Sequence, residues 1–210
     1  DTHAFTAEAE FIFPERQDVD LLPYEPHSVL TSSLFGFHTP KYTSSTTNNN
    51  GAWAAETGSH KDNGLQVFAI KRASSYSEIV SPLNEVKDVI FVVKDRHGNI
   101  VLESDTIQNV YENQKWNLAL TLKNESHPYA TDITGSATGS YILNLYGVNY
   151  DSNIKRQSFD VSTSISSFSG SSILTSPKKF YLGAHREDFS GTLLEKSDVR
   201  ASSCRFWNTY

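Results

Sequence analysis

The sequence opens with a stretch of alternating polarity, AFTAEAEFIF, which runs from Ala4 to Phe13. Apolar residues occupy every second position, and most of the residues between them are polar. This period of two is typical of a β-strand with one buried face. Pro14 ends the pattern, because proline has no N–H to donate to a β-ladder. We therefore predict that the fold begins with a half-buried strand whose solvent face carries Glu8 and Glu10.

Further strands follow along the chain. Trp116 begins a second clear alternation, and the polar turn from Asp95 to Gly98 between two β-rich runs predicts a hairpin. The best helical window, at 75–86, is interrupted by Pro82, and no segment carries an apolar stripe of helical period over three turns. Many short strands with polar turns between them predict an all-β, antiparallel sandwich. The predicted strands cover residues 4–13, 33–37, 65–70, 89–94, 99–103, 116–122, 141–149, 157–161, 180–184 and 198–207.

The serine-rich stretch at 162–176 is not interpreted as a linker. Ile165, Phe168, Ile173 and Leu174 interrupt it, and large apolar side chains favour burial. We therefore predict a single domain over residues 1–210. Because the sequence contains no Met, even at position 1, we expect this domain to be cut from a longer polypeptide.

Composition argues against several classes of protein. The net charge of −6 offers no basic surface, so we expect no nucleic-acid partner. Cys204 is the only cysteine, so no internal disulfide can form, and no Cys/His cluster suits a structural zinc ion. No apolar run approaches the ~18 residues of a membrane span, so no membrane insertion is expected.

Several segments, taken in chain order, carry a family resemblance. They are Phe5–Phe11, Ser33–Phe37, Lys115–Leu120, Tyr141–Asn149, the stretch from Phe180 through Gly183-Ala184-His185-Arg186 to Phe189-Ser190-Gly191-Thr192, and Asp198–Trp207. Together they resemble the strands of laminin-G-like domains in the concanavalin A-like lectin superfamily. The resemblance implies a two-sheet jelly-roll sandwich in which the last strand pairs beside the first. It also implies a structural role for the motif residues Gly183, His185, Arg186, Gly191 and Trp116.

A narrower resemblance concerns the series Gly-Ala-His-Arg, Phe-x-Gly-Thr, Ser-Asp-Val and a closing Trp. This series resembles modules in large virion structural proteins of tailed phages. It implies a non-enzymatic structural or adhesion module on a virion, or otherwise on an extracellular surface. The expected partners are other virion proteins or copies of itself, and surface glycans are candidate ligands. Two alternatives stay open: a carbohydrate-active enzyme or its ancillary binding domain, and a protein–protein spacer without a ligand.

Sugar binding requires an aromatic ring for the apolar face of a pyranose and amide or carboxylate groups for its hydroxyls. Two polar loops hold such side chains. One lies between residues 41 and 64, and the other follows the strand at 141–149. The alternative is that the loop rings cover the sandwich edge or contact a neighbouring subunit. The candidate ligand contacts are Trp53, Tyr42, Glu56, Tyr150, Asp151 and Asn153.

No catalytic set and no cofactor are predicted. Glycosidases of the resembled superfamily carry a Glu-x-Asp-x-x-Glu run, which this sequence lacks, and Glu8 and Glu10 are interpreted as a solvated strand face. Calcium stays open as an alternative. It prefers six to eight oxygen ligands, whereas Asp132, Asp151 and Asp188 lie in predicted loops without forming a recognisable ligand cluster.

Three further side chains are expected to lie inside the fold. Trp116 alternates with leucines, and Trp207 ends the closing strand. Cys204 lies in the same closing strand and is expected to be a buried, inert thiol.

Overall fold

The computed structural model describes residues 4–15, 30–38, 64–72, 86–95, 98–127, 139–176, 178–186, 193–195 and 197–207. These residues form twelve strands and one helix. The helix, α1, spans Ser167–Thr175 and lies between β8 and β9. The strands are β1 (Ala4–Phe13), β2 (Thr31–His38), β3 (Gly64–Lys71), β4 (Val89–Asp95), β5 (Ile100–Glu103), β6 (Gln114–Asn124), β7 (Tyr141–Asp151), β8 (Ile154–Ile165), β9 (Lys179–Leu182), β10 (His185–Arg186), β11 (Leu193–Glu195) and β12 (Arg200–Trp207).

The strands build two antiparallel five-stranded sheets that pack face to face. Sheet A has the order β12-β1-β6-β7-β8, and sheet B has the order β5-β4-β3-β2-β9. The short strands β10 and β11 pair with each other. The predicted all-β, antiparallel sandwich is therefore confirmed. The last strand lies beside the first, with Trp207 opposite Thr6.

Aromatic side chains from both sheets fill the space between them. Phe5 of sheet A meets Phe37 of sheet B edge to face, with 5.3 Å between the ring centroids. Trp116 of sheet A lies 5.5 Å from Phe91 of sheet B. Each such pair contributes about 0.5–1.5 kcal/mol beyond the burial of its area. The apolar positions of the alternating strands thus form the core, and the residues between them face outward.

The outer faces of the two sheets differ in polarity. On sheet B, Phe68, Ile90 and Val92 form a second buried apolar cluster. Strands β3 and β4 are therefore buried on both faces, which explains why their sequences are almost continuously apolar. On sheet A, the outer face carries Glu8 and Glu10 together with other polar side chains. The outer face of sheet A therefore presents polar groups, in contrast to the apolar outer face of β3 and β4.

A buried polar cluster, the Asp198 cluster, ties the segment before β12 to sheet B. The carboxylate of Asp198 accepts a hydrogen bond from Ser32 and another, at 2.7 Å, from the hydroxyl of Tyr111. Its second oxygen lies 3.1 Å from Nζ of Lys71, whose side chain is 2% exposed. The ammonium of Lys71 also lies 4.2 Å from the centroid of the Tyr111 ring. Because a buried charge must be paired, these contacts determine where the chain enters β12.

Replacing Asp198 with alanine is expected to lower the free energy of unfolding by about 3–5 kcal/mol, because it removes the carboxylate that the buried ammonium of Lys71 and the hydroxyl groups of Ser32 and Tyr111 contact. Urea denaturation measures the change. The control Asp105→Ala removes an exposed carboxylate and should change stability by at most about 0.5 kcal/mol. The double variant Lys71→Met/Asp198→Leu should recover most of the loss, since it buries no charge. Equal stability of Asp198→Ala and the control would contradict this account.

Helix α1 and the short strands β10 and β11 are not among the predicted elements. The helix is the largest of these. It has nine residues, too few for a periodic pattern over three turns. Its start is set by Ser166, whose side chain accepts a hydrogen bond from a backbone N–H of the first turn at 3.1 Å. Ile173 and Leu174 join the core, as expected, but Phe168 is 71% exposed, so the expectation that it is buried is wrong.

Lys178 satisfies the carbonyl groups at the end of α1. Its Nζ donates hydrogen bonds to the carbonyl oxygens of Leu174 at 3.1 Å and Ser176 at 3.0 Å. The same nitrogen lies 5.7 Å from the centroid of the Phe37 ring. Burial lowers the pKa of Lys178 to about 8.

The protein is expected to gain stability through Lys178 as the pH rises from about 8 towards 10.5, the usual pKa of lysine. In this interval the unfolded chain binds a proton at Lys178 that the folded protein has largely released, so raising the pH favours the folded state. Unfolding free energies measured across this range should rise less steeply for Lys178→Met. Lys155→Met, at an exposed position on β8, should keep the original slope. A slope that Lys178→Met leaves unchanged would refute the assignment.

Candidate functional site

Part of the sequence prediction falls on residues outside the described part of the chain. The predicted contacts in the loop between residues 41 and 64 therefore stay a prediction. These predicted contacts are Trp53, Tyr42 and Glu56. The motif residue Gly191 and the two aspartates considered for calcium, Asp132 and Asp188, also lie outside the described residues.

The remaining motif residues occupy framework positions. His185 and Arg186 contribute their backbone to the pairing of β10 with β11. Gly183 has a φ of +76°, a conformation that favours glycine, and its N–H donates to the carbonyl of Leu34 at 2.6 Å. The chain can therefore turn as it leaves β9. Trp116 is fully buried between the sheets.

Tyr150, Asp151 and Asn153 lie at the hairpin between β7 and β8. Both turn residues, Ser152 and Asn153, have positive φ values, 52° and 65°, as a two-residue hairpin of this kind requires. Tyr150 and Asp151 line an open cavity of about 710 Å³, which we call the hairpin-end pocket. Asn153 is not among its lining residues.

The carboxylate of Asp151 is engaged within its own hairpin. One oxygen accepts a hydrogen bond from Arg156 at 2.9 Å, and the other accepts one from Ser152 at 3.1 Å. The bond from Arg156, and then that from Ser152, lowers the pKa of Asp151. Within the described ranges, no group of three or more His, Cys, Asp or Glu side chains could hold a metal ion. Through its two hydrogen bonds Asp151 ties the turn to Ser152 and Arg156, and its role in ligand binding stays a prediction.

A second candidate site lies on the outer face of sheet A, where strand register aligns side chains in rows. One row crosses the sheet from Arg205 on β12 through Glu8, Ala119 and Tyr146 to Asp160 on β8. Neighbouring strands are about 4.8 Å apart, so side chains in a row stand side by side. The methyl group of Ala119 is the smallest of them. It leaves a depression between Glu8 and Tyr146.

The adjacent row continues this depression. It runs from Trp207 on the edge strand through Thr6 and Thr121 to Asn144. Two cavities, of about 500 and 230 Å³, follow these rows and share part of their lining. We call the combined surface the sheet-face groove. Its principal lining side chains are Thr6, Glu8, Glu10, Ala119, Thr121, Asn144, Tyr146, Asp160, Arg205 and Trp207.

Two aromatic rings line the groove. Tyr146 is half-buried, whereas Trp207 is 46% exposed, so the expectation that Trp207 packs inside the fold is wrong. Trp207 is opposite Thr6 in the ladder and therefore belongs to the outward-facing set. Among the described strands, β12 is the edge of sheet A, and none of them lies beyond this ring.

The carboxylates of the groove differ in their partners. Glu10 accepts a hydrogen bond from Ser202 and lies 3.1 Å from Nζ of Lys115. The bond from Ser202, with the ammonium of Lys115 adding to it, lowers the pKa of Glu10. Glu8 makes no hydrogen bond or ion pair with another residue that the structure describes. Its carboxylate is therefore available to a ligand.

Cys204 also differs from its prediction. It is exposed, so the expectation of a buried thiol is wrong. The reason is the edge position of β12, all of whose residues are exposed. Partial burial nevertheless raises the pKa of the Cys204 thiol, which disfavours the reactive thiolate.

Tyr146, Asp160 and Trp207 are not among the site residues predicted from the sequence. Each lies at an outward position of an alternating strand, and that pattern was the available signal. The alternating pattern shows which side chains face outward, but it does not show which strands are neighbours. Only the strand order of sheet A brings these residues onto one surface with Glu8.

Comparison with known proteins adds no family assignment. No protein-family model matches the chain, and a search of curated proteins finds no match. No helix in the described part of the chain is long and apolar enough to cross a membrane.

Ser202→Ala is expected to raise the pKa of Glu10 towards its usual value, because the hydrogen bond from Ser202 stabilises the ionised carboxylate. The ¹³C shift of the Glu10 carboxyl group, followed by NMR across pH, measures this pKa. The lowered pKa of the folded state means that the contact stabilises the fold above the unfolded pKa, and this contribution disappears as the pH falls through the folded pKa.

The matched control is Ser203→Ala, since Ser203 is opposite Glu10 in the ladder but donates no hydrogen bond to it in the described structure. This variant should leave the pKa of Glu10 unchanged. If both variants titrate like the wild type, Ser202 is not the cause of the shift.

Proposed function

We propose that the protein is a non-enzymatic carbohydrate-binding module that uses the sheet-face groove for adhesion. The observation that carries this proposal is the lining of the 500 Å³ cavity, which combines two aromatic rings, Tyr146 and Trp207, with carboxylate, amide and hydroxyl groups. An aromatic ring covers the apolar face of a pyranose, and the polar groups bind its hydroxyls.

The spacing of the rings favours an oligosaccharide. Trp207 lies on β12 and Tyr146 on β7, which are three strand positions apart in sheet A. At about 4.8 Å per strand, their backbones are separated by about 14 Å across the sheet. Threonine and alanine side chains lie between them, so the floor is low where a sugar chain would cross. A ligand that contacts both rings therefore needs more than one sugar unit.

The carboxylates support binding rather than hydrolysis. Glu8 and Asp160 belong to one row, but their strands are three positions apart, or about 14 Å. Glycosidases place their two carboxyl groups about 5–9.5 Å apart. Glu10 lies closer to Glu8, but its carboxylate is already engaged by Ser202 and Lys115. The carbohydrate-active enzyme stays an alternative, which release of shortened sugars would reveal.

The proposal also includes a concanavalin A-like jelly roll and a place on the virion of a tailed phage. Both rest on the resemblance of the sequence segments. On such a particle, other virion proteins or copies of the module would be its partners. Many copies would compensate for weak single sites, because avidity can exceed the affinity of one site by 10²–10⁴-fold.

The protein–protein spacer is the second candidate function, and one observation favours it. Strand β12 is an exposed edge of sheet A, and its Phe206 is 53% exposed. Unpaired strand edges can accept a strand from another chain.

Multivalent display of the protein on a glycan array tests the proposal. We expect binding, and we expect Trp207→Ala and Tyr146→Ala each to weaken it by about tenfold, since each removes one ring contact. The matched control is Phe168→Ala, which removes an exposed ring on α1, outside the groove. Runs with calcium and with a chelator show whether the ion contributes.

Other outcomes would relocate or remove the site. Binding that survives both groove variants but is lost in Trp53→Ala or Tyr150→Ala would place the site in the loops. An array without any signal would contradict sugar binding and favour the spacer.

A further inference from the structure

We infer that the sheet-face groove selects sugars without negative charge and prefers an amino sugar, with Glu8 as the residue that determines this selectivity. This inference rests on the proposed function, since it names the class of sugar that the groove would take.

The charged side chains that line the aromatic part of the groove are all negative. The 500 Å³ cavity that holds both rings is lined by two carboxylates, Glu8 and Asp160. Its lining includes no lysine or arginine from the described part of the chain. A sugar that rests on these rings therefore lies next to negative charge.

The nearby cationic side chains do not line this cavity and so do not neutralise its negative charge. Arg205 is opposite Glu8 in the ladder but lines only the smaller, 230 Å³ cavity. Lys115 is paired with Glu10 at 3.1 Å. Lys123, two residues beyond Thr121 on β6, lines neither cavity. The cationic side chains of this face thus lie outside the aromatic part of the groove.

Glu8 is the carboxylate best able to respond to a ligand. Asp160 already accepts a hydrogen bond from the amide of Asn144. Glu8, by contrast, has no hydrogen-bond or ion-pair partner among the described residues. It also lies in the row between Arg205 and Ala119, at the side of the depression.

A buried hydroxyl in the same cavity independently points to a polar ligand. Thr121 lines the cavity and is 8% exposed, and its Oγ1 has no hydrogen-bond partner among the described residues. A hydroxyl can both donate and accept, so it suits the hydroxyl or amino group of a sugar. Thr121 and Glu8 therefore present complementary polar groups to one ligand.

These groups predict an order of affinity. The ammonium of an amino sugar can donate a charge-assisted hydrogen bond to Glu8, which is stronger than a neutral one. A neutral sugar can donate only from its hydroxyl or amide groups. The carboxylate of a uronic acid would stand beside like charge and would have to displace water without gaining a partner.

Three tetrasaccharides test this order of affinity. One consists of glucosamine, one of N-acetylglucosamine and one of glucuronic acid. Binding to the whole chain is measured at about pH 6, where the amine is protonated. We expect the glucosamine tetramer to bind at least about tenfold tighter than the glucuronate tetramer, with the acetylated one between them. Glu8→Gln should reduce this ratio to about threefold or less, because it keeps the shape of the side chain and removes its charge.

Glu103→Gln is the control, since it removes an exposed carboxylate on β5 of sheet B and should leave the ratio unchanged. Circular dichroism checks that each variant is folded. If Glu8→Gln does not fold, Glu8→Thr removes the same charge with a residue that favours strands and provides the same test. The ratio for the wild type should also shrink as salt is added, because ions screen exposed charges.

The outcomes separate this inference from the function on which it rests. Equal or tighter binding of the glucuronate tetramer would overturn the inference and leave sugar binding intact. A ratio that Glu8→Gln does not change would refute the role of Glu8. If none of the tetramers binds, and the glycan array is also silent, the proposed function fails and the inference fails with it.

Discussion

The buried carboxylate of Asp198 is the contact on which the geometry of the proposed site depends. It joins Ser32 of β2 and Lys71 of β3 to the segment that leads into β12. That strand forms the edge of sheet A and carries both Trp207 and Arg205 outward. The strand that forms one wall of the groove therefore starts from an anchor outside the groove. From that anchor, its ladder with β1 carries the strand to Trp207, opposite Thr6.

The two sheets divide the tasks of stability and recognition. In sheet B, the strands β3 and β4 are buried on both faces, because Phe68, Ile90 and Val92 add a second apolar cluster outside the main core. Among the described residues, sheet A contributes its apolar side chains to the core from its inner face. Its outer face can therefore carry carboxylates and small residues such as Ala119 without loss of the core. A depression lined by polar groups is compatible with a stable sandwich, because the apolar contacts lie between the sheets and on the outer face of sheet B.

Local patterns in the sequence predicted most of the strands, and long-range pairing decided the rest. The alternation in β1 gave its bounds directly, and the hairpin at Gly98 follows from a glycine with a φ of 85°. Helix α1 was missed because its nine residues are held by a cap and two buried side chains rather than by a long stripe. The rows of side chains that form the groove could not be predicted from the sequence, because they depend on the strand order β12-β1-β6-β7-β8. Trp207 was misjudged for the same reason.

The exposed thiol of Cys204 gives this protein a built-in point of attachment. It is the only cysteine of the chain, so a thiol-reactive dye would label one position without any substitution. Cys204 is opposite the inward-facing Ala9 in the ladder, whereas Arg205 and Trp207 point to the other side of the strand. A fluorophore on Cys204 would lie on the face of β12 that points away from the groove. It would report on movement of β12 while leaving the path of the ligand open.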